Sequence, residues 1–386
     1  MKSRIGIAGI AVLVALAGLP LQAKSPAAVE PQERLLVLPV KFTYFKYGVG
    51  ESPTVVAEKS EAAERNLEGS LDRALKREQA TQFIALPELN ADEQKSLREH
   101  VDLLRLAVIG ALSQRRLDYS IGDGLAFLAD RTGVDNAIFV SGSRGEPAGS
   151  VAILTLFSML GNGFLVGGGN QKELSAVVLN LRSGKVLMVY LPERGFAGEA
   201  DDVAGANTWM HALFDIIPPP PRAELKTYRV RAPEKPVPHP RPRRGFTVLS
   251  PGGWFDSESA HLMCFSLRMA ALERICIDDK SFETTEADSM KAGAIAVSLL
   301  KADPRYADME VTSLLPARVA GRDGFRVELT SLLNLSRSHV RERHVVYGVV
   351  GSDRAYLLRF DAPAIYYFEH HLADFEAVVP TFKFLQ

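Results

Sequence analysis

The pattern of apolar and polar positions falls into two structured runs with a break between them. In the first run, Leu35 to Phe45 is apolar and β-branched with a lone proline, and predicts a buried strand. A charged amphipathic helix is predicted over 55–77, a short strand over 82–86, and a second helix from Asn90 or Asp92 to Gln114. That second helix carries Leu97, Val101, Leu104 and Val108 on one stripe. A third helix holds Leu125, Phe127 and Leu128 and ends near Gly133, and a strand over 136–141 then leads into a Gly/Pro turn region. The segments 174–181 and 185–191 flank Arg182-Ser183-Gly184 as a hairpin, and a helix with Trp209, Leu213 and Phe214 closes the run.

The pattern restarts at Gly245. Strands are predicted at 245–248, 261–267 and 272–277, a helix over 286–300, strands at 310–315, 325–332, 339–350 and 355–361, and a last helix over 363–378. The two orders, β-α-β-α-α-β-β-β-α and β-β-β-α-β-β-β-β-α, predict α/β (α+β) architecture in two domains. These are an N-terminal mixed-sheet layer domain over 34–217 and a C-terminal α/β/α sandwich with an antiparallel sheet over 245–386.

Between them, 218–244 opens with four consecutive prolines and continues through Pro233, Pro236, Pro238, Pro240 and Pro242. Proline fixes φ and removes an amide donor, so the stretch is expected to be an extended linker, largely free of helix and sheet. It is also basic. Arg222, Lys226, Arg229, Arg231, Lys235, Arg241, Arg243 and Arg244 stand against only Glu224 and Glu234. A plain tether and an arm for anionic lipid or glycan are both compatible with this pattern. Elsewhere no excess of Lys and Arg clusters, and a nucleic-acid partner is not expected.

Residues 1–23 have the three parts of a cleavable secretory signal: Lys2 and Arg4, an uncharged apolar stretch from Ile5 to Leu19 broken by Pro20, and a small residue, Ala23, at the boundary. About 20 residues are needed to span a hydrocarbon core, and this stretch is shorter. Removal of Lys2 and Arg4 takes the net charge from −1 to −3. The only cysteines are Cys264 and Cys276, so no lipidation site follows the boundary. The expected location is periplasmic or extracellular, in soluble, unlipidated form. An oxidising compartment permits a disulfide between the two cysteines. They stand at equal distances from a turn near Ala270, which would put them opposite each other on one sheet face, whereas a one-residue slip would separate them.

The segment 151–169 contains no charge. It reads as a buried strand pair, as a transmembrane helix weakened by five glycines, or as an exposed hairpin. In the last case Phe157, Met159, Leu160, Phe164 and Leu165 would touch a membrane or a partner.

No motif for chemistry assembles. Ser141-Gly142-Ser143-Arg144-Gly145 lacks the nucleophile-elbow spacing, and Gly161, Gly163 and Gly167 are followed by neither a P-loop lysine nor a Rossmann acid. His370 and Asp374 are four apart on the last helix, a spacing that can hold a metal but more often marks a solvated face. Glu273, Asp278 and Asp279 could pair as carboxylates or simply guard a strand edge. No metal or cofactor is expected.

Two resemblances bear on role. Leu36-Val37-Leu38-Pro39-Val40, Gly133 to Val140, and Leu179-Asn180-Leu181-Arg182-Ser183-Gly184-Lys185-Val186-Leu187 are similar to envelope proteins of the CsgG/LpoB/TolB-N-terminal type. Asn180 stands where that pattern usually has aspartate. The C-terminal half resembles PsbP-type domains through Gly245-Phe246, Pro251-Gly252-Gly253-Trp254, Val319 to Phe325 and Tyr356 to Pro363. Both resemblances imply binding or assembly, with a protein partner in the cell envelope, rather than catalysis. The alternatives are a secreted hydrolase with a loop-built site, and a membrane-inserting or pore-associated protein acting through 151–169. If the signal reading holds, intact mass of the exported protein will correspond to a chain beginning near Lys24. A mass that retains 1–23 would refute it.

Overall fold

The computed structural model describes residues 34–47, 54–78, 83–114, 119–147, 172–190, 197–214, 234–258, 262–267, 272–281, 293–294, 297–298, 300–301, 306–333, 340–350 and 354–385. The signal-like segment 1–23, the segment 151–169 with Phe157, Met159, Leu160, Phe164 and Leu165, and most of the 218–244 stretch lie outside these residues.

The first apolar run is one strand bent at a proline. β1 (Leu35–Val37) and β2 (Lys41–Tyr47) both pair in parallel with β5 (Asn136–Pro147). The break falls at Leu38-Pro39-Val40, where Pro39 has no N–H to give to a ladder. β5 is flanked on its other side by β6 (Lys172–Asn180), which forms an antiparallel hairpin with β7 (Val186–Tyr190). β3 (Thr54–Val55) and β4 (Phe83–Ile84) add short outer pairings to β2 and β1.

The alternation along β5 sorts the two faces. Ile138 and Val140 join Phe42, Tyr44 and Ala176 beneath α1 (Ala57–Glu78) and α4 (Val203–Phe214), which contribute Ala63, Leu67, Leu71, Trp209 and Leu213. Ala137 and Phe139 face Leu97, Val101 and Leu104 of α2 (Ala91–Gln114) and Leu128 of α3 (Ala126–Thr132). Asn90 caps α2 reciprocally with Glu93: each backbone N–H donates to the other's side-chain oxygen, at 2.9 and 3.0 Å. α1 also closes the outer edge of β2, because Ser60 Oγ and Glu64 Oε1 accept from the N–H groups of Tyr44 and Phe42. The Gly/Pro turn expected after Ser141 is instead strand. Gly142 and Gly145 lie opposite Phe42 and Phe45, where partners on the β2 side accommodate residues lacking a side chain.

The second sheet is antiparallel throughout. Its order is β10 (Phe255–Glu258), β11 (Leu262–Ser266), β12 (Arg274–Ser281), β16 (Arg354–Pro363), β15 (Arg341–Val350), β14 (Arg322–Leu333) and β13 (Tyr306–Val319). One face packs on α5 (Tyr367–Val378), where Phe360 stacks with Phe368 and Phe375 at 5.5 and 5.7 Å. Cys264 and Cys276 stand directly opposite on β11 and β12 and are joined by a disulfide.

The C-terminal end of the proline-rich stretch is part of the fold, contrary to the expectation of a spacer free of sheet. β8 (Val237–Arg241) pairs with β9 (Phe246–Ser250), and β17 (Lys383–Phe384) completes a small third sheet. Pro238 and Pro240 fit because they alternate with Val237, His239 and Arg241 along an edge strand. Arg34–Gln386 form one compact unit. A single apolar cluster contains residues of both halves, from Leu36 and Tyr119 to Phe246 and Phe368.

Cross-strand packing in the second sheet is tight at Gly348. Gly348 faces Phe325, and a Cβ at 348 would lie 2.0 Å from the ring. Gly348→Ala should therefore destabilise the protein by about 1–3 kcal/mol, seen as a lower urea midpoint with an unchanged slope.

Candidate functional site

Period-2 geometry brings polar residues of four neighbouring strands onto one face of the second sheet. Asp361 on β16 stands opposite His344 on β15 and Arg274 on β12, Arg359 is two residues before Asp361, and Ser331 on β14 is diagonal to His344. The same face carries the apolar Val327, Leu329, Val346 and Leu357, and Glu342, two residues before His344, is buried on it as well.

The contacts form a relay. Ser331 Oγ lies 2.8 Å from His344 Nε2, and His344 Nδ1 lies 2.8 Å from Asp361 Oδ1. The other carboxylate oxygen, Oδ2, pairs with Arg359 Nε at 2.9 Å and faces Arg274 at 3.8 Å. An ionised Asp361 can only accept, so Nδ1 carries the imidazole proton in the neutral ring. Nε2 is then left to accept from the Ser331 hydroxyl. Burial by itself pushes the Asp361 carboxyl up. The Arg359 guanidinium, the hydrogen bond and charge of His344, and Arg274 outweigh burial and hold it well below the usual carboxylate range.

This is the order of contacts by which a serine is activated as a nucleophile. Its surroundings are those of a core. Ser331 and Asp361 are 0% exposed and His344 is 1% exposed, and Ser331 stands inside a paired strand rather than on an open turn. The relay as described orients and neutralises buried charge.

Other polar groupings lie in the N-terminal half. The Tyr44 hydroxyl donates to Asp201 Oδ1 at 2.8 Å, and burial with that carboxylate raises the phenol far above its ordinary range. Arg144 pairs with Glu199, and Lys59 with Glu146. The Tyr44 and Arg144 contacts fix the segment that leads into α4, and the Lys59 pair ties α1 to β5.

The groups singled out from the sequence are distributed differently. Asp374 meets His371 at 3.1 Å rather than His370, whose ring stacks on Tyr366 instead. Among the described residues no three metal-ligating side chains come together. Asp279 is held by Arg244 and Arg354, and Glu273 is buried. β12, which carries Asp278 and Asp279, lies between β11 and β16, so neither carboxylate guards a sheet edge. No sequence motif singles out Ser331, His344 and Asp361. The one signal for them is polar residues at positions where the alternation calls for apolar ones.

No protein-family model matches the chain, and no curated protein does either. Solved structures that resemble part of it include the cyanobacterial PsbP protein CyanoP of Synechocystis sp. PCC 6803. It has 10% identity over 39% of this chain and 93% of that one, with a TM-score of 0.31. A point mutant of the protein Mog1 shares 10% identity over 39% of this chain and 96% of its own, with a TM-score of 0.29. LpqN of Mycobacterium tuberculosis, described as involved in cell envelope biogenesis, shares 16% over 39% and 90%, with a TM-score of 0.28. A PsbP-type likeness is thus present at a low level, and these structures do not bear on the CsgG/LpoB/TolB resemblance. At such TM-scores none of them carries the functional argument. No described helix is long and apolar enough to cross a membrane.

Asp361→Asn would leave two buried guanidinium groups facing a neutral amide, and should cost about 3–5 kcal/mol at neutral pH. Because folding depresses the Asp361 pKa, the carboxylate stabilises the fold above its unfolded value of about 4. That contribution is lost as pH falls through the lower folded value. Urea unfolding from pH 7 to pH 2 should show a steep acid loss in the native chain and a shallower one in the variant.

Proposed function

We propose that this chain is an exported, non-enzymatic protein of the cell envelope that binds a partner or supports assembly. The observation that carries the reading is the sealing of Ser331, His344 and Asp361. The side chains with a catalytic order of contacts are buried within a sheet and tied to two arginines. Export is supported by the signal-like N-terminus and by the Cys264–Cys276 disulfide, a bond suited to an oxidising compartment.

A secreted serine hydrolase is the second reading, favoured by the two 2.8 Å contacts of His344. One experiment separates the two. The mature chain and its Ser331→Ala variant are treated with a fluorophosphonate probe and a panel of p-nitrophenyl esters, and both are used to capture partners from envelope extract. The binding reading expects no labelling, no turnover above the variant, and the same captured protein with each. Stoichiometric labelling of Ser331, abolished in the variant, would establish the hydrolase.

A further inference from the structure

Tyr366 adopts φ 65° and ψ −60°, a backbone region that residues with a side chain rarely enter. The Tyr367 N–H donates to the Ile365 carbonyl at 2.7 Å, so 365–367 form the γ-turn of positive φ, a strained geometry. A glycine would make this turn with less strain. Two tyrosines occupy it instead, and both reach the N-terminal half of the chain.

The Tyr366 ring rests on Gly122, which is itself at φ +77°. A Cβ at 122 would meet three Tyr366 side-chain atoms, two of them in the ring, at 3.0–3.2 Å. Tyr367 is buried, and its hydroxyl donates to the Ser120 carbonyl at 2.6 Å. The receiving segment is braced from behind. Ser120 Oγ donates to the Ser183 carbonyl at 2.8 Å and accepts from the Gly122 N–H at 3.1 Å. Gly184 approaches so closely that a Cβ there would lie 2.0 Å from the Gly122 carbonyl oxygen. Two glycines and a serine of one half are thus shaped around two tyrosines of the other, and Tyr119, Ile121, Leu125 and Phe368 belong to the apolar cluster that surrounds the contact.

We infer that the Tyr366–Tyr367 turn is a latch that couples the two halves into one cooperative unit. The strain at Tyr366 persists because the surrounding contacts determine it. A ring seated on a residue with no side chain and a buried hydroxyl bonded to a backbone carbonyl together hold the turn.

Scanning calorimetry of the full chain tests the latch, with hydrogen exchange used to assign each transition to a half. The native chain should unfold in one transition whose calorimetric and van't Hoff enthalpies agree. Gly122→Ala, which displaces the ring, should split it into two. Tyr367→Phe keeps the packing and deletes only the hydroxyl bond, so it remains informative if the alanine variant does not fold. It should lower the midpoint and broaden the transition toward two. Tyr366→Gly separates the latch from a mere local kink. Relief of strain alone would raise the midpoint of a single transition, whereas loss of the latch splits the transition despite that relief. Two transitions in the native chain, a single sharp transition in every folded variant, or a single raised midpoint in Tyr366→Gly would each overturn the inference.

Discussion

A carboxylate without water must be matched by positive charge and hydrogen bonds close by, and Asp361 sets that condition for the second sheet. It lies on β16 between β12 and β15, and each neighbour supplies a partner directly opposite: Arg274 from one, His344 from the other. A slip of one residue in either pairing would turn those partners to the other face and leave the charge unmatched. The apolar residues of this face specify burial but are interchangeable with one another. The charge specifies which residue must sit beside which, and so fixes the register of β16 against both of its neighbours.

The first half is held differently. Its sheet has helices on both faces, and its polar contacts serve to dock them. Ser60 and Glu64 satisfy the outer amides of β2, and Tyr44, Asn66 and Trp209 each hydrogen-bond to the segment at 197–201. The two halves therefore meet as finished layers. What joins them is local, a segment around Ser120 to Gly122 and the start of α5, where backbone groups as well as side chains make the contact.

Much of this is readable from the sequence because it is local. The Asn90–Glu93 cap, the αL end of α3 at Gly133, the tight turn at Gly184 and the alternation along β6 all depend on residues within a few positions of each other. The candidate site is not readable, since its three members are 13 and 17 residues apart on strands whose relative register no short pattern states. The strand at 237–241 is hidden for another reason. Its prolines argue correctly against a central strand, and the sequence does not say that an edge position is open. Likewise, Gly142 and Gly145 suggest a turn until Phe42 and Phe45 are seen across from them.

That edge strand has a chemical asymmetry. In β8 the prolines occupy every second position, and their ring nitrogens must point away from the ladder with β9, toward the side where no strand pairs among the described residues. The outer side of this edge therefore offers carbonyl oxygens without amide hydrogens between them. An incoming strand needs both in alternation to form a ladder, so neither a second copy nor a stray extended peptide can continue the sheet there. A basic, proline-rich sequence that resembles an extended linker thus acts, at its last turn into the fold, as a stop for sheet growth.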